Sequence, residues 1–119
     1  MVKTVSLTAI VSCVLTLLAV HLVGWAPPPK RVLLENPKVR VTELSYQPGA
    51  PRERSIRATD QVIVFLDDCR YQRKDPVTGQ MTVREHKSGD VIWHDKAEDA
   101  PELTNLGDKT YRTVVVELK

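Results

Sequence analysis

The side chains best equipped for chemistry in this sequence are a cluster of arginines and a pair of histidines. Arg52, Arg54 and Arg57 lie close together with Glu53, Ser55 and Ile56 between them. A guanidinium is planar, permanently charged and presents its N–H groups as a fork, so it grips a carboxylate or phosphate through two oxygens at once. The chemistry on offer is recognition of an anion. The competing reading is an internal ion pair, in which Asp60 or Glu102 neutralises Arg57, because buried charges are usually paired. In a strand, Arg54 would face away from Arg57.

His86 and His94 flank the turn Ser88-Gly89-Asp90. Should the segments carrying them pair, the two rings would approach each other with Glu85 and Asp90 nearby, a makeshift metal site. No ligand spacing supports this, and two ordinary strand-end histidines are the favoured reading. His21 sits within an apolar run, near its end, where a ring can reach toward an interface. Cys69 is the only cysteine beyond Cys13. It has no disulfide partner in its own domain, and packing in a strand is expected of it rather than reactivity. There is no Ser/His/Asp arrangement, no phosphate-cradling glycine loop and no Cys-x-x-Cys pair, so no second route to catalysis is evident.

The elements that must position these residues read as short strands. Residues 39–46 are rich in β-formers, with a phase slip at Thr42-Glu43 that predicts a bulge. Pro48-Gly49 ends that strand. Residues 61–66 are apolar on both faces. Asp67-Asp68 reads as a turn, with residues 69–73 as the return strand. Asp75-Pro76-Val77-Thr78-Gly79 is a turn before residues 81–86, and Ser88-Gly89-Asp90 leads into residues 91–94. The stretch holding Glu98, Asp99 and Glu102 reads as a solvated loop, and Trp93 and Tyr111 as core or rim packing. Asn105-Leu106-Gly107-Asp108 makes a further turn before a closing strand over residues 112–118. Strands at this spacing, with no helical period after residue 30, predict an all-β sandwich or small barrel.

One helix is expected ahead of it. Residues 5–23 contain no Asp, Glu, Lys or Arg, and a helix of that length measures ~28 Å, close to the ~30 Å core of a bilayer. Lys3 precedes this run, and Pro27-Pro28-Pro29, Lys30 and Arg31 follow it. That is the layout of a signal peptide or signal anchor. Residues 1–25 are therefore assigned to it, 26–31 to a Pro-rich linker and 32–119 to the domain. Retention is favoured over cleavage, because Pro27 would follow the cut. The expectation is an inner-membrane anchor with the domain outside the cytoplasm, or a periplasmic or secreted domain if the segment is removed. The chain carries 17 basic and 15 acidic residues, and with Lys3 set aside the domain is close to neutral, which argues against a nucleic-acid surface.

The order of these pieces resembles the small bacterial single-domain cupins. Residues 35–41 look like that family's opening strand. Pro48-Gly49 followed by residues 60–64 looks like its first motif. Residues 88–93, then Asn105-Leu106-Gly107-Asp108, then residues 111–118 resemble its second motif and closing strand. The likeness implies a cupin-like β-barrel or jelly roll, open at one end, with inward side chains converging on a cavity. Metal-binding members place two histidines one residue apart after the Pro-Gly turn and a third four residues before the Asn. Carried onto this sequence, those positions are Ser55, Arg57 and Pro101, with Gln61 near the place of a fourth, acidic or amide ligand. The resemblance therefore implies a barrel without its metal-binding histidines and without a metal or other cofactor. Ser55, Arg57, Gln61 and Pro101 become the cavity candidates, and Arg57 is expected to point inward. The function implied is an exported, membrane-tethered module that binds a small anion or a protein partner, with a homodimer expected by analogy. The alternative is a cupin-type enzyme: metal-dependent through His86 and His94, or a metal-free isomerase or lyase acting on a sugar or small organic acid.

Overall fold

The computed structural model describes residues 26–119. The expected helix, and the signal or anchor assigned to residues 1–25, lie outside the described residues. Among the described residues every regular element is a strand, and no helix is long and apolar enough to cross a membrane. The strands are β1 (Lys30–Glu35), β2 (Val39–Tyr46), β3 (Pro51–Arg52), β4 (Ser55–Ile56), β5 (Asp60–Phe65), β6 (Cys69–Lys74), β7 (Met81–His86), β8 (Val91–His94), β9 (Asp99–Ala100), β10 (Glu102–Asn105) and β11 (Tyr111–Leu118).

They form two main antiparallel sheets, ordered β1-β2-β11-β5-β8 and β3-β10-β6-β7, and a small pair β4-β9. Successive side chains in a strand point to opposite faces. In the larger sheet the inward set runs Thr42, Leu44 and Tyr46 on β2, Tyr111, Thr113 and Val115 on β11, and Ile63 and Phe65 on β5, matched across the ladder. The smaller sheet faces it with Tyr71 and Leu103. Tyr46, Phe65, Tyr71, Leu103 and Tyr111 are the buried centre, and Leu44, Ile63, Cys69 and Ile92 pack around it. Aromatic rings dominate this centre: Tyr46 stacks on Tyr111 at 4.9 Å between centroids, Tyr71 lies 6.2 Å from Tyr111, and Phe65 stacks on His86 at 4.1 Å. Wide rings fill a small barrel with few residues, which suits a short chain.

The outer face of the larger sheet is apolar as well. Leu34, Val41, Val116, Val62 and Trp93 form one cross-strand row. This explains two expectations that the structure corrects. The phase slip in residues 39–46 is a strand with apolar side chains on both faces: β2 pairs with β11 without interruption, and the irregularity falls on β1, between Val32 and Leu34. Trp93 is neither core nor rim; it is 50% exposed on the outer face, and its indole N–H donates to Asp95 at 2.8 Å.

Three other expectations change. The opening segment is two strands, since Asn36 and Pro37 turn β1 into β2 with the Asn36 side chain accepting from the amides of Lys38 and Val39; β1 already begins at Lys30, inside the expected linker. Residues 69–74 do not return along β5 but cross to the other sheet, where β6 pairs with β7 and β10. Glu102 belongs to β10 and is not part of a loop. The turn at Gly89 behaves as expected: at φ 91° it has the left-handed backbone that favours glycine, and its amide donates to Phe65 at 2.7 Å.

Candidate functional site

The two sheets hold between them a small cavity of about 40 Å³ lined by the polar Arg52, Arg57, Arg73 and His94 and by Tyr46, Ile63, Phe65, Tyr71, Ile92, Leu103 and Tyr111. Pro101 and Thr113 complete the wall. A site needs roughly 10–15 Å³ to hold one water. The space thus accepts a few water-sized groups, enough for the head of a small ligand.

The arginines reach this space for strand-pairing reasons. Arg52 on β3 pairs with Leu103 on β10, and Leu103 pairs with Arg73 on β6. Leu103 is buried in the core, so its two cross-strand neighbours are directed to the same face. Arg73 also continues the inward series Cys69, Tyr71, Arg73. Arg57 is set by its main chain. Its amide donates to Glu98 at 3.0 Å and its carbonyl accepts from Ala97 at 2.9 Å, while the side chain of Asp60 accepts from the Lys96 amide at 2.8 Å. Ala97 takes the left-handed conformation, φ 71°, to close this loop against the strand.

These guanidiniums are incompletely satisfied. Arg52 donates through Nη2 to the Pro101 carbonyl at 2.7 Å and through Nη1 to the Tyr46 hydroxyl at 3.5 Å. Arg57 donates through Nη1 to Gln61 Oε1 at 3.3 Å. The Nε atoms of Arg52, Arg57 and Arg73 are all buried without a hydrogen-bond partner, and so is the hydroxyl of Thr113, a residue 3% exposed. Native proteins rarely leave buried donors unpaired, because each costs about 1–3 kcal/mol. No carboxylate lines the cavity. Burial, and next the charge of Arg52, hold the Arg57 guanidinium below its usual range. The internal ion pair weighed for Arg57 is absent among the described residues: Asp60 accepts from Lys96, and Glu102 makes no salt bridge.

Of the residues singled out from the sequence, Arg57 and Pro101 line the cavity, and Gln61 touches Arg57 from its edge. Ser55 does not reach the cavity; it lies on exposed β4, along an adjoining groove. Arg54 faces outward, paired with Asp99 at 2.7 Å. Arg52, which was not among the cavity candidates, lines the same cavity as Arg57. Arg73 and Thr113 were not foreseen, although the two-residue period of Cys69 and Tyr71 carried the signal for Arg73.

The histidine pair does not form. β7 and β8 belong to different sheets. His86 stacks on Phe65, with Nδ1 3.4 Å from Asp90, while His94 lines the cavity and holds Glu98 at 3.0 Å through Nδ1. Burial is the main cause that lowers the His94 pKa, partly offset by Glu98. Among the described residues no three His, Cys, Asp or Glu side chains come together. The cavity does not fit the metal this kind of barrel often carries, since one imidazole beside three fixed positive charges would repel a cation.

No family model matches the sequence, and no curated protein does. Solved structures match the fold. A cupin domain from Bordetella pertussis Tohama I is 19% identical, with a TM-score of 0.71, over 80% of this chain and 96% of that one. An uncharacterised double-stranded β-helix protein from Klebsiella pneumoniae is 18% identical, with a TM-score of 0.61, over 78% and 77%. A polyketide cyclase from Streptomyces resistomycificus is 19% identical, with a TM-score of 0.59, over 75% of this chain and 63% of that one. The domain therefore has the cupin fold, a double-stranded β-helix.

Proposed function

We propose that this domain is a cupin-fold binding module that holds a small oxyanion inside its barrel. The observation that carries the reading is the convergence of Arg52, Arg57 and Arg73 on one cavity, each with a buried, unpartnered Nε–H and no carboxylate in the lining. A phosphate or carboxylate would accept those donors and the Thr113 hydroxyl together, relieving the mutual repulsion of the guanidiniums. No paired carboxylates or nucleophile–base arrangement accompany them, so the reading is recognition rather than turnover. Thermal unfolding of the full chain with inorganic phosphate, sulfate, acetate and chloride in turn tests it. Phosphate or acetate should raise the midpoint well beyond chloride at equal ionic strength, and equal midpoints in all four would overturn it.

The module belongs, on this proposal, outside the cytoplasm and on a membrane. Support comes from the uncharged run of residues 5–23 and the stiff Pro27-Pro28-Pro29 spacer just before β1. Protease accessibility in intact spheroplasts reports the side on which the domain lies; protection from protease would overturn the placement. Pairing of two copies is part of the same proposal and is supported by the apolar outer row that ends in Trp93. A sedimentation mass of one chain at micromolar concentration would exclude it.

A further inference from the structure

The arginine cavity is too small to be the whole of a ligand site, but some of its lining residues also face a second, larger space. A groove of about 530 Å³ runs along the inner face of the larger sheet and shares Tyr46, Arg52, Arg57 and Ile63 with the cavity as a common wall. Small-molecule sites fall in the range of about 300–1,000 Å³; the groove lies within it and the cavity alone does not. The groove's walls mix polar side chains with an apolar set. Val32 and Ile56 are 52% and 57% exposed, and Leu44 and Val115 form the floor. Charge stands at both ends: Lys30 lines the groove across from Leu44, and Glu35, Arg40 and Glu117 line the far end.

Because Arg52 and Arg57 line both the cationic pocket and the groove, we infer that the ligand is an amphipathic oxyanion, its head on those arginines and an apolar chain laid along Val32, Leu44, Ile56 and Val115. The inference rests on the anion reading and names the class of its ligand. Charge complementarity fixes the orientation. The guanidiniums, with Lys30, make one end cationic, and the Glu35–Arg40 ion pair, 2.8 Å apart, closes the far end. An inorganic ion would fill only the head position and leave the exposed Val32 and Ile56 uncovered. A neutral lipid or sugar would leave the guanidiniums unpaired, at the cost that an unsatisfied buried donor carries.

The test is calorimetric titration of the full chain with inorganic phosphate and then with methyl, butyl and hexyl phosphate. Each methylene that enters the trough should tighten binding by up to roughly fourfold. Val32→Ser and Ile56→Ser alter exposed side chains and add no charge beside the arginines, so both should fold, bind inorganic phosphate as the parent does, and lose much of the gain with chain length. If phosphate binds while affinity stays flat from methyl to hexyl, the head site stands and the amphipathic ligand is overturned. If neither phosphate nor acetate binds, the anion reading fails and this inference with it. If Val32→Ser and Ile56→Ser keep the full chain-length gain, the chain lies elsewhere and the trough assignment is wrong.

Discussion

Replacing Arg57 with methionine should make the free domain more stable and the anion-loaded domain less so. Methionine keeps a similar length and apolar bulk while removing the charge and its donors. What is lost is one long hydrogen bond to Gln61, 3.3 Å, worth ~0.5 kcal/mol at the low end of the usual range. The Glu98 and Ala97 contacts use the Arg57 main chain and survive. What is relieved is a buried unpartnered Nε–H, which costs about 1–3 kcal/mol, and repulsion from Arg52 and Arg73. Because the side chain is only half-buried, the lower part of that range applies, and the net gain is about 1 kcal/mol. For a domain of this size that raises the thermal midpoint by roughly 4–8 °C. Ligand acts in the opposite direction. An anion at a hundred times its dissociation constant stabilises the parent by about 2.7 kcal/mol, and the variant should lose most of that. The two melting curves therefore exchange order between phosphate-free buffer and saturating phosphate. A variant that melts below the parent without phosphate, yet gains as much from phosphate as the parent does, would refute the reasoning.

Other consequences are more local. Asn105, 2% exposed, donates to the carbonyls of Tyr46 and Lys109 and accepts from the Gly107 amide, tying the last turn to β2; Asn105→Ala should cost about 3 kcal/mol in a denaturant titration, at ~1 kcal/mol per lost bond. Burial pushes the Cys69 thiol up to about 11, so at pH 8 roughly one in a thousand is thiolate, and a thiol reagent should modify it far more slowly in the native chain than in urea. His94 has a lowered pKa, chiefly through burial, so the unfolded chain takes up that proton at a higher pH than the folded one. Its contribution is intact above the ordinary imidazole value of 6.5 and is lost as pH falls through the lowered folded value. The denaturant midpoint should therefore drop on acidification below that point, and His94→Gln should flatten this part of the profile.

The long strands were legible because their signals are local. Residues 61–66 and 111–118 are runs of β-formers, and the turns at Pro48-Gly49, Asp75–Gly79 and Ser88–Asp90 are bounded by residues with fixed backbone preferences. The order of those pieces also carried the fold, although identity to the Bordetella and Klebsiella structures is only 19% and 18%. Four short strands, β3, β4, β9 and β10, were not legible, because they exist through their partners rather than their own propensity. That omission decided the site. Without β10, nothing in the sequence sets Arg52 and Arg73 on either side of Leu103, and Arg57 is left to be judged alone against Asp60 and Glu102. The histidine pairing failed for a related reason: the turn at Gly89 carries the chain from one sheet to the other instead of folding a hairpin.

The most direct test of the anion site is to observe the three Nε–H groups themselves. In nitrogen-15 labelled full chain, the Nε–H resonances of Arg52, Arg57 and Arg73 can be assigned by their loss in the corresponding methionine variants and followed as phosphate is added. The account predicts that all three move together, saturating at one phosphate per chain, while the Nε–H of surface-paired Arg54 stays in place. If all four drift slightly and without saturation, the barrel holds no specific anion, and the convergence of its arginines serves some other end.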